Sequence, residues 1–533
     1  MSDRLRYSIK PLEHLYDMSR PPLNMPFLAA DWSSMNVVVN DNRIEKRSGY
    51  VADRTFVDGT EVQGISLYKR SDGTRSILYL TKSDLCLRET ATDKTFSYKT
   101  ETDLYTSTAQ VDEIDAATKL VVTFEAAATV ETDGAAAGDF FVLDEDVTVD
   151  EEHDTEWREI ASVDSETQIT LTTAYGKAVT TPGAKNARIR KVYTVPSRER
   201  WSSCVVKDKF IFTNGNVDVQ SYTGTGYASA LDSTNAKKAR YCLSYAQRLL
   251  IANVLVPESP GDVTFVGSGL DDMTASGAST HDDALTYRIQ IDGEGTPDTF
   301  KWSDDGGTTW DVETVAITGA AQTLNNEVTI TFAATTGHTD TEYWEFTVAR
   351  GREPWTMQWS KSTDPTDWTD STAGSVDFVT TDAHITGLGQ VGNNVFVYKT
   401  DSYIVGYRTG VSTSPFTFPT EKRGVGNYAP SSLVHYMGTN AFVGKNDFYW
   451  INGDHAEPIK GPLSQDSPIR YKFFDIVDKS EVKYTWGVNV PPNHQIWWFT
   501  NSKEGQLCFV WDYESKQWTT FDFYNRVEGV GAV

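Results

Sequence analysis

Short apolar runs alternate with tight polar turns along most of this chain, and four of the units share one layout. In residues 201–215, 239–252, 385–398 and 432–443, an alternating run leads through a turn into a more continuous apolar run. A period of two is that of a half-buried strand, and an unbroken apolar run that of a strand covered on both faces. The turns are expected at Lys207 and Asp208, Gln247 and Arg248, Asn393 and Asn394, and Thr439 and Asn440. Weaker copies begin near Gly64 and Val482. Val205, Phe210, Ile211, Leu249, Ile251, Val395, Phe396, Val397 and Phe442 are the strand positions expected to be buried.

Units of this size have no core of their own and must stack on neighbours, and periods of about 40–50 residues indicate a β-propeller. Two intervals, of about 138 and 145 residues, are far too long, and each contains a stretch of its own short strands. Removing those stretches restores the spacing. The expected fold is all-β: a propeller-like body of about six blades with two small β-domains, barrel or sandwich, inserted into its loops. The expected division is an N-terminal arm (1–34), body (35–106), first insert (107–194), body (195–263), Ig-like sandwich insert (264–350) and body (351–533). Loop-closure entropy rises slowly with loop length, so such insertions are tolerated.

Composition narrows the picture. The chain has 533 residues with 12% aromatics, which argues against disorder, and a net charge of −26, which disfavours a surface that grips nucleic acid throughout. Four cysteines, Cys86, Cys204, Cys242 and Cys508, form no CxxC pair; Cys204 and Cys242 occupy matching repeat positions as small core residues, and the usage is that of a reducing compartment. The N-terminal residues lack the apolar segment of a secretory leader.

The sharpest local motif is Ser303, Asp305, Gly307, Thr309 and Trp310, which fits the Asp-box turn of sialidase-like propellers. Its reason is mechanical: Asp305 accepts backbone amides, Gly307 permits positive φ, and Trp310 is expected to pack beneath the hairpin. It occurs once, inside the second insert, without an arginine triad, so a sialidase-like hydrolase is the weakest reading. No P-loop, Gly-x-Ser-x-Gly elbow or His-Glu-x-x-His motif occurs, and no catalytic residue, cofactor or metal is assigned. The acidic run 144–154 lacks the ligand spacing of a calcium loop and reads as solvated. His435 is expected as a packed or rim residue and His338 in a turn. The Trp pairs Trp359 with Trp368 and Trp511 with Trp518 are expected to pack between blades rather than to form a stacking platform.

Residues 36–50, the Trp359, Ser360, Asp364, Pro365, Trp368 segment, and residues 385–399, 424–430 and 448–453 together resemble, in order, the nozzle of short-tailed phages (podoviruses) and the related tail-hub and packaged-DNA stabilisation proteins. The resemblance spans most of 35–106, 195–263 and 354–533, and does not separate nozzle from stabilisation protein. It implies a non-enzymatic virion tail protein, assembled in the host cytoplasm as a ring, usually a hexamer, below the tail adaptor. The ring would retain and then conduct double-stranded DNA without binding it tightly, with host-surface contact possible. A hexamer of this chain totals about −156, which an acidic lumen and basic contacts would accommodate. The basic residues expected at subunit or adaptor contacts are Arg43, Lys46, Arg47, Arg188, Arg190, Lys191, Arg198, Arg200, Lys237, Lys238 and Arg240. The rival reading is a receptor- or glycan-binding tail protein that uses an aromatic-lined site on an insert.

Overall fold

Positive backbone φ closes the first hairpin of each clear repeat. The computed structural model describes residues 37–40, 43–46, 62–82, 84–88, 96–98, 110–126, 128, 130, 135, 137–143, 146, 157–180, 185–190, 192–193, 200–232, 237–279, 281–460, 469–502 and 505–522. Lys207 and Asp208 have φ of 50° and 61°, and Ala246 and Gln247 have 52° and 61°. These are two-residue turns of the kind whose twist matches the flanking strands. The turn expected at Gln247 and Arg248 therefore sits one residue earlier. The others also shift, by one residue to Gly392 and Asn393 and by two to Met437 and Gly438; positive φ falls on Gly392 in the first and on both Met437 and Gly438 in the second. Arg248, displaced from the turn, is a buried strand residue. Its guanidinium donates to the carbonyls of Ser360 and Thr372 at 2.7 and 2.8 Å and holds the loop between them.

The described chain is all-β, with one short α-helix at Arg470–Ile476. Six sheets are antiparallel meanders formed in chain order. Sheet I contains Val62–Lys69, Arg75–Thr81, Leu85–Arg88 and Phe96–Tyr98; sheet II contains Ser202–Val206, Lys209–Thr213, Gln220–Tyr222 and Ser229–Ala230. Sheet III contains Lys238–Tyr245, Arg248–Leu255, Arg352–Trp359 and Gly374–Asp377. Sheet IV is built on Ile385–Val391, Asn394–Lys399, Ser402–Val411 and Ser414–Thr417, with Lys422–Arg423 also paired to its third strand. Sheet V contains Val434–Tyr436, Thr439–Val443, Phe448–Asn452 and His455–Pro458. Sheet VI contains Trp486–Val490, Gln495–Ser502, Gly505–Asp512 and Gln517–Asp522, and a 3-10 turn at Val482–Tyr484 precedes it.

The second strands of sheets II, III and IV are covered on both faces, which is why they are nearly continuous apolar runs. In Arg248–Leu255 every residue is buried. Phe210, Ile211, Leu249, Ile251, Val395, Phe396, Val397 and Phe442 are all 1% exposed or less, while Val205 is only partly covered. Shared cores join consecutive sheets. Tyr68 and Leu78 of sheet I meet Phe210 and Phe212 of II; Ile211 of II meets Cys242 and Leu249 of III. Leu250 and Met357 of III meet Val395 and Ile404 of IV; Tyr398 of IV meets Phe442 of V. Phe448 of V sits against Trp498 and Trp518 of VI. Both Trp pairs are packing elements: Trp511 and Trp518 are buried between sheets V and VI, Trp359 is buried, and Trp368 packs on the core of II and III.

Two further bodies interrupt this series. Residues Gln110–Ile114, Val121–Phe124, Phe140–Leu143, Arg158–Ser165, Gln168–Leu171 and Lys185–Arg190 close into a six-stranded barrel between sheets I and II. Its core includes Val122, Phe124, Phe141, Ile160 and Ile189. A five-stranded sheet and a three-stranded sheet, both within 264–348, enclose Tyr287, Ile289, Phe300, Ile330, Phe332 and Trp344. This sandwich leaves sheet III after Leu255 and returns at Arg352, and these two residues are paired across the sheet.

Charge follows the same partition. Residues 107–194 hold eighteen acidic and seven basic residues, a formal −11; residues 264–350 hold fifteen acidic and three basic, a formal −12. Only −3 is left for the rest of the chain. The acidity is therefore a property of the barrel and sandwich segments, and the body sequence is close to neutral.

Candidate functional site

The Asp-box turn is the most completely built local motif. The strand Thr299–Ser303 delivers the Ser303 hydroxyl to Asp305 Oδ1 at 2.6 Å, and Ser303 Oγ accepts the amide of Gly307 at 3.0 Å. Asp305 accepts the amides of Thr308 and Thr309 at 2.8 and 3.0 Å and the Thr309 hydroxyl at 2.7 Å. The Ser303 hydroxyl, followed by the Thr309 amide and hydroxyl, holds the Asp305 carboxyl well below the usual carboxylate range. Gly307 has φ of +85°, and a Cβ there would lie 2.9 Å from Arg288 Cδ. Trp310 departs from expectation. It is half-buried on the outer face of the sheet with Lys301 Nζ 4.2 Å from its ring centroid, while Trp302 takes the core position. Strand parity is the reason: Phe300 and Trp302 alternate inward, which leaves Lys301 outside. Every carboxylate oxygen of Asp305 is engaged with the turn itself, so its chemistry is that of a backbone staple.

His338 lies in the sandwich core. Its Nδ1 is 3.0 Å from Asp298 Oδ2 and its Nε2 is 3.1 Å from Asp272 Oδ1. Both carboxylates also accept backbone amides, from Gly295 and Ala334 respectively, so the group ties three loops together. His435 is exposed at the edge of a cavity of about 390 Å³, also lined by Leu243 and by Leu388 and Gln390 from the first strands of sheets III and IV, by Leu433 just before sheet V and by Asn440 of its second strand. Its Nδ1 is 3.0 Å from Asn440 Oδ1. Cys242 is buried and Cys204 packs against the same core, where its contact with the Cys242 thiol, and then burial, push the Cys204 thiol pKa up. Among the described residues no group of three or more His, Cys, Asp and Glu is arranged to hold a metal ion. Of the acidic run 144–154 only Asp146 is described; it accepts the Tyr175 hydroxyl and pairs with Lys177 Nζ, both at 2.7 Å.

The basic residues divide by what they touch. Arg190 is 4% exposed; its Nε is 3.4 Å from buried Asp84 Oδ1, and its guanidinium lies over Phe140 and Trp157. Its charge ties the barrel to sheet I and leaves almost no surface for a neighbouring subunit. Arg200 donates to the Gln63 carbonyl at 2.8 Å in sheet I, and its guanidinium stacks 4.1 Å from the Trp486 ring of sheet VI. Arg240 pairs with Asp282 at 3.3 Å. Arg188, Lys237 and Lys238 are partly exposed. The backbones of Arg43 and Lys46 lie in a strand, and Arg47, Lys191 and Arg198 lie outside the described residues, as does the arm 1–34.

Sequence reasoning missed the latch that holds the sandwich. Arg352, 6% exposed, reaches Asp282 at 2.7 Å, the Asn253 carbonyl at 3.1 Å and the Gly215 carbonyl at 2.7 Å. One guanidinium thus joins sheets II and III to the insert. A charged residue two positions after the insert, at the start of the returning strand, was the available signal.

No family model matches this sequence, and no curated protein matches it. Among solved structures the chain is similar to one described as Kluyveromyces lactis Hsv2 complete loop 6CD, at 8% identity over 86% of this chain and 97% of that one. The TM-score is 0.24, a likeness that carries no argument about fold or function.

Proposed function

We propose that this chain is a structural protein of a short-tailed phage virion, a subunit of a ring below the tail adaptor that retains and then conducts the genome. Its body would be one propeller, with sheets I to VI as successive blades and the barrel and sandwich as peripheral additions. The observation that carries this reading is the position of the nozzle-like segments. Residues 359–368 leave the third strand of sheet III, 385–399 form the first hairpin of sheet IV, and 448–453 hold the third strand of sheet V. Segments that resemble one family in order thus fall in three consecutive meanders. The Arg200 bridge from sheet I to Trp486 of sheet VI supports ring closure of the blades. The near-neutral body modifies the mechanism. A conduit that DNA slides through without sticking then follows from the lack of net positive charge, while the acidic inserts disfavour DNA on the outside. Electron microscopy of particles carrying a tagged copy tests the reading. Density for the tag in a ring on the tail axis supports it; density on fibres or the capsid shell, or none on the particle, overturns it.

A further inference from the structure

The outer face of the five-stranded sandwich sheet carries a strip unlike its surroundings. Val266, Tyr343, Gln290 and Lys301 are consecutive cross-strand partners and so share one face. At the usual strand spacing this row is about 14 Å long. Trp310 continues it beyond Lys301. Val266 is 46% exposed, and Tyr343, Gln290, Lys301 and Trp310 are each partly exposed. The neighbouring row holds Thr264, Glu345 and Arg288.

Charge sets the strip apart. Arg288, Lys301 and Arg350 are the three cations among residues 264–350, against fifteen acidic residues. Two of them lie here, each over an aromatic ring: Arg288 4.5 Å from Tyr343 and Lys301 4.2 Å from Trp310. Glu345 fixes Arg288 through bonds of 2.6 and 3.0 Å to one carboxylate oxygen. Lys301 makes no ion pair among the described residues, although the segment around it is strongly acidic. Gln290 spends its amide nitrogen on the Thr341 carbonyl at 3.1 Å, which turns its oxygen away from that bond. The Asp-box turn holds the geometry: Gly306 donates to the Thr286 carbonyl at 2.7 Å, and Gly307 leaves room for the Arg288 stem.

We infer that this strip binds an acidic oligosaccharide, with Lys301 taking a sugar carboxylate and Tyr343 and Trp310 taking the apolar faces of sugar rings. A carboxylate draws the Lys301 ammonium from the Trp310 ring and uncovers that ring for stacking. Isolated cation–aromatic pairs are worth about 0.5–1 kcal/mol at exposed sites, small enough for a charged ligand to exchange. A neutral glycan lacks the group that displaces Lys301, and a small inorganic anion lacks the ring faces.

Calorimetric titration of the full chain with oligogalacturonate and oligosialic acid tests this, with maltohexaose and inorganic phosphate as controls. At least one acidic oligosaccharide binds, more weakly at high salt, and neither control competes. Lys301→Glu and Trp310→Ala each weaken binding about tenfold or more, a change of about 1.4 kcal/mol, with an unchanged melting temperature. Lys301→Arg retains binding. No binding by either acidic oligosaccharide, equal binding of maltohexaose or phosphate, or affinity unaffected by both variants overturns the site. None of these outcomes depends on where the chain sits in a particle.

Discussion

Single side chains decide stability where a charge is enclosed. Lys399, fully buried, donates from Nζ to the Phe378 carbonyl at 2.8 Å and the Thr381 hydroxyl at 2.6 Å, and lies 3.1 Å from Glu421. Lys399→Ala leaves the Phe378 carbonyl without this donor and the buried Glu421 carboxylate without its counter-charge, held only by the Ser402 and Thr381 hydroxyls. The expected loss is about 3–5 kcal/mol, read as a lower midpoint in urea denaturation. Asp305 makes a pH prediction. The Ser303 hydroxyl, with the Thr309 and Thr308 groups, lowers its folded pKa below its unfolded value. Its contribution is therefore complete above the ordinary carboxylate pKa and is lost as pH falls through the depressed folded value. Thermal melts of the wild type should weaken on acidification in a step that Asp305→Asn removes. Parallel curves for the two proteins would refute the staple.

At the scale of elements, the question is how firmly the sandwich is joined to sheet III. Two strand ends paired at Leu255 and Arg352 hold it, and Asp282 clamps it through Arg240 and Arg352. Replacing residues 264–350 by a short Gly-Ser bridge should leave cooperative unfolding of the remainder, because the sandwich has its own core. That variant should be less stable than the intact chain, since Arg240 and Arg352 lose their carboxylate. Asp282→Ala in the intact chain should reproduce roughly 1–3 kcal/mol of the loss, as expected when a buried guanidinium lacks an acceptor. Arg200→Ala removes the bridge between the first and last sheets. It should lower the melting temperature and increase amide exchange in Val62–Lys69 and Trp486–Val490; unchanged exchange in both strands would exclude a joining role.

For the whole molecule the partition of charge matters more than its total. The chain carries −26, of which −23 lies in residues 107–194 and 264–350. Self-repulsion in a ring would therefore come mainly from those two segments and would fall with salt. If the proposed ring forms, mass photometry should show larger assemblies at moderate salt than at low salt, and the variant lacking 264–350 should show a smaller dependence. Filter binding should find no submicromolar affinity for duplex DNA at physiological ionic strength; such an affinity would contradict a sliding conduit.

Much was legible in the sequence because it is local. Alternation along residues 284–291 and 343–348 fixed which side chains enter the sandwich core, and the long apolar second strands marked where both faces are covered. Asp72 and Gly73, and Lys207 and Asp208, behaved as turns, since turn chemistry depends on adjacent residues. The turn positions at Ala246 and Met437 were missed by one or two residues, because φ at non-glycine positions follows strand register rather than residue type. The lone Asp-box was readable, but not that its Trp310 faces outward under Lys301. Long-range pairing was invisible. The meeting of Arg352 with Gly215, of Arg200 with Trp486, and of Val266, Tyr343, Gln290 and Lys301 in one row joins residues far apart in the chain. Sequence by itself determined periodicity, strand identity and local turns, which the backbone encodes within a few residues. Only the tertiary structure decided which distant charges are buried as clamps and which remain on an open face, because that depends on which sheets stack.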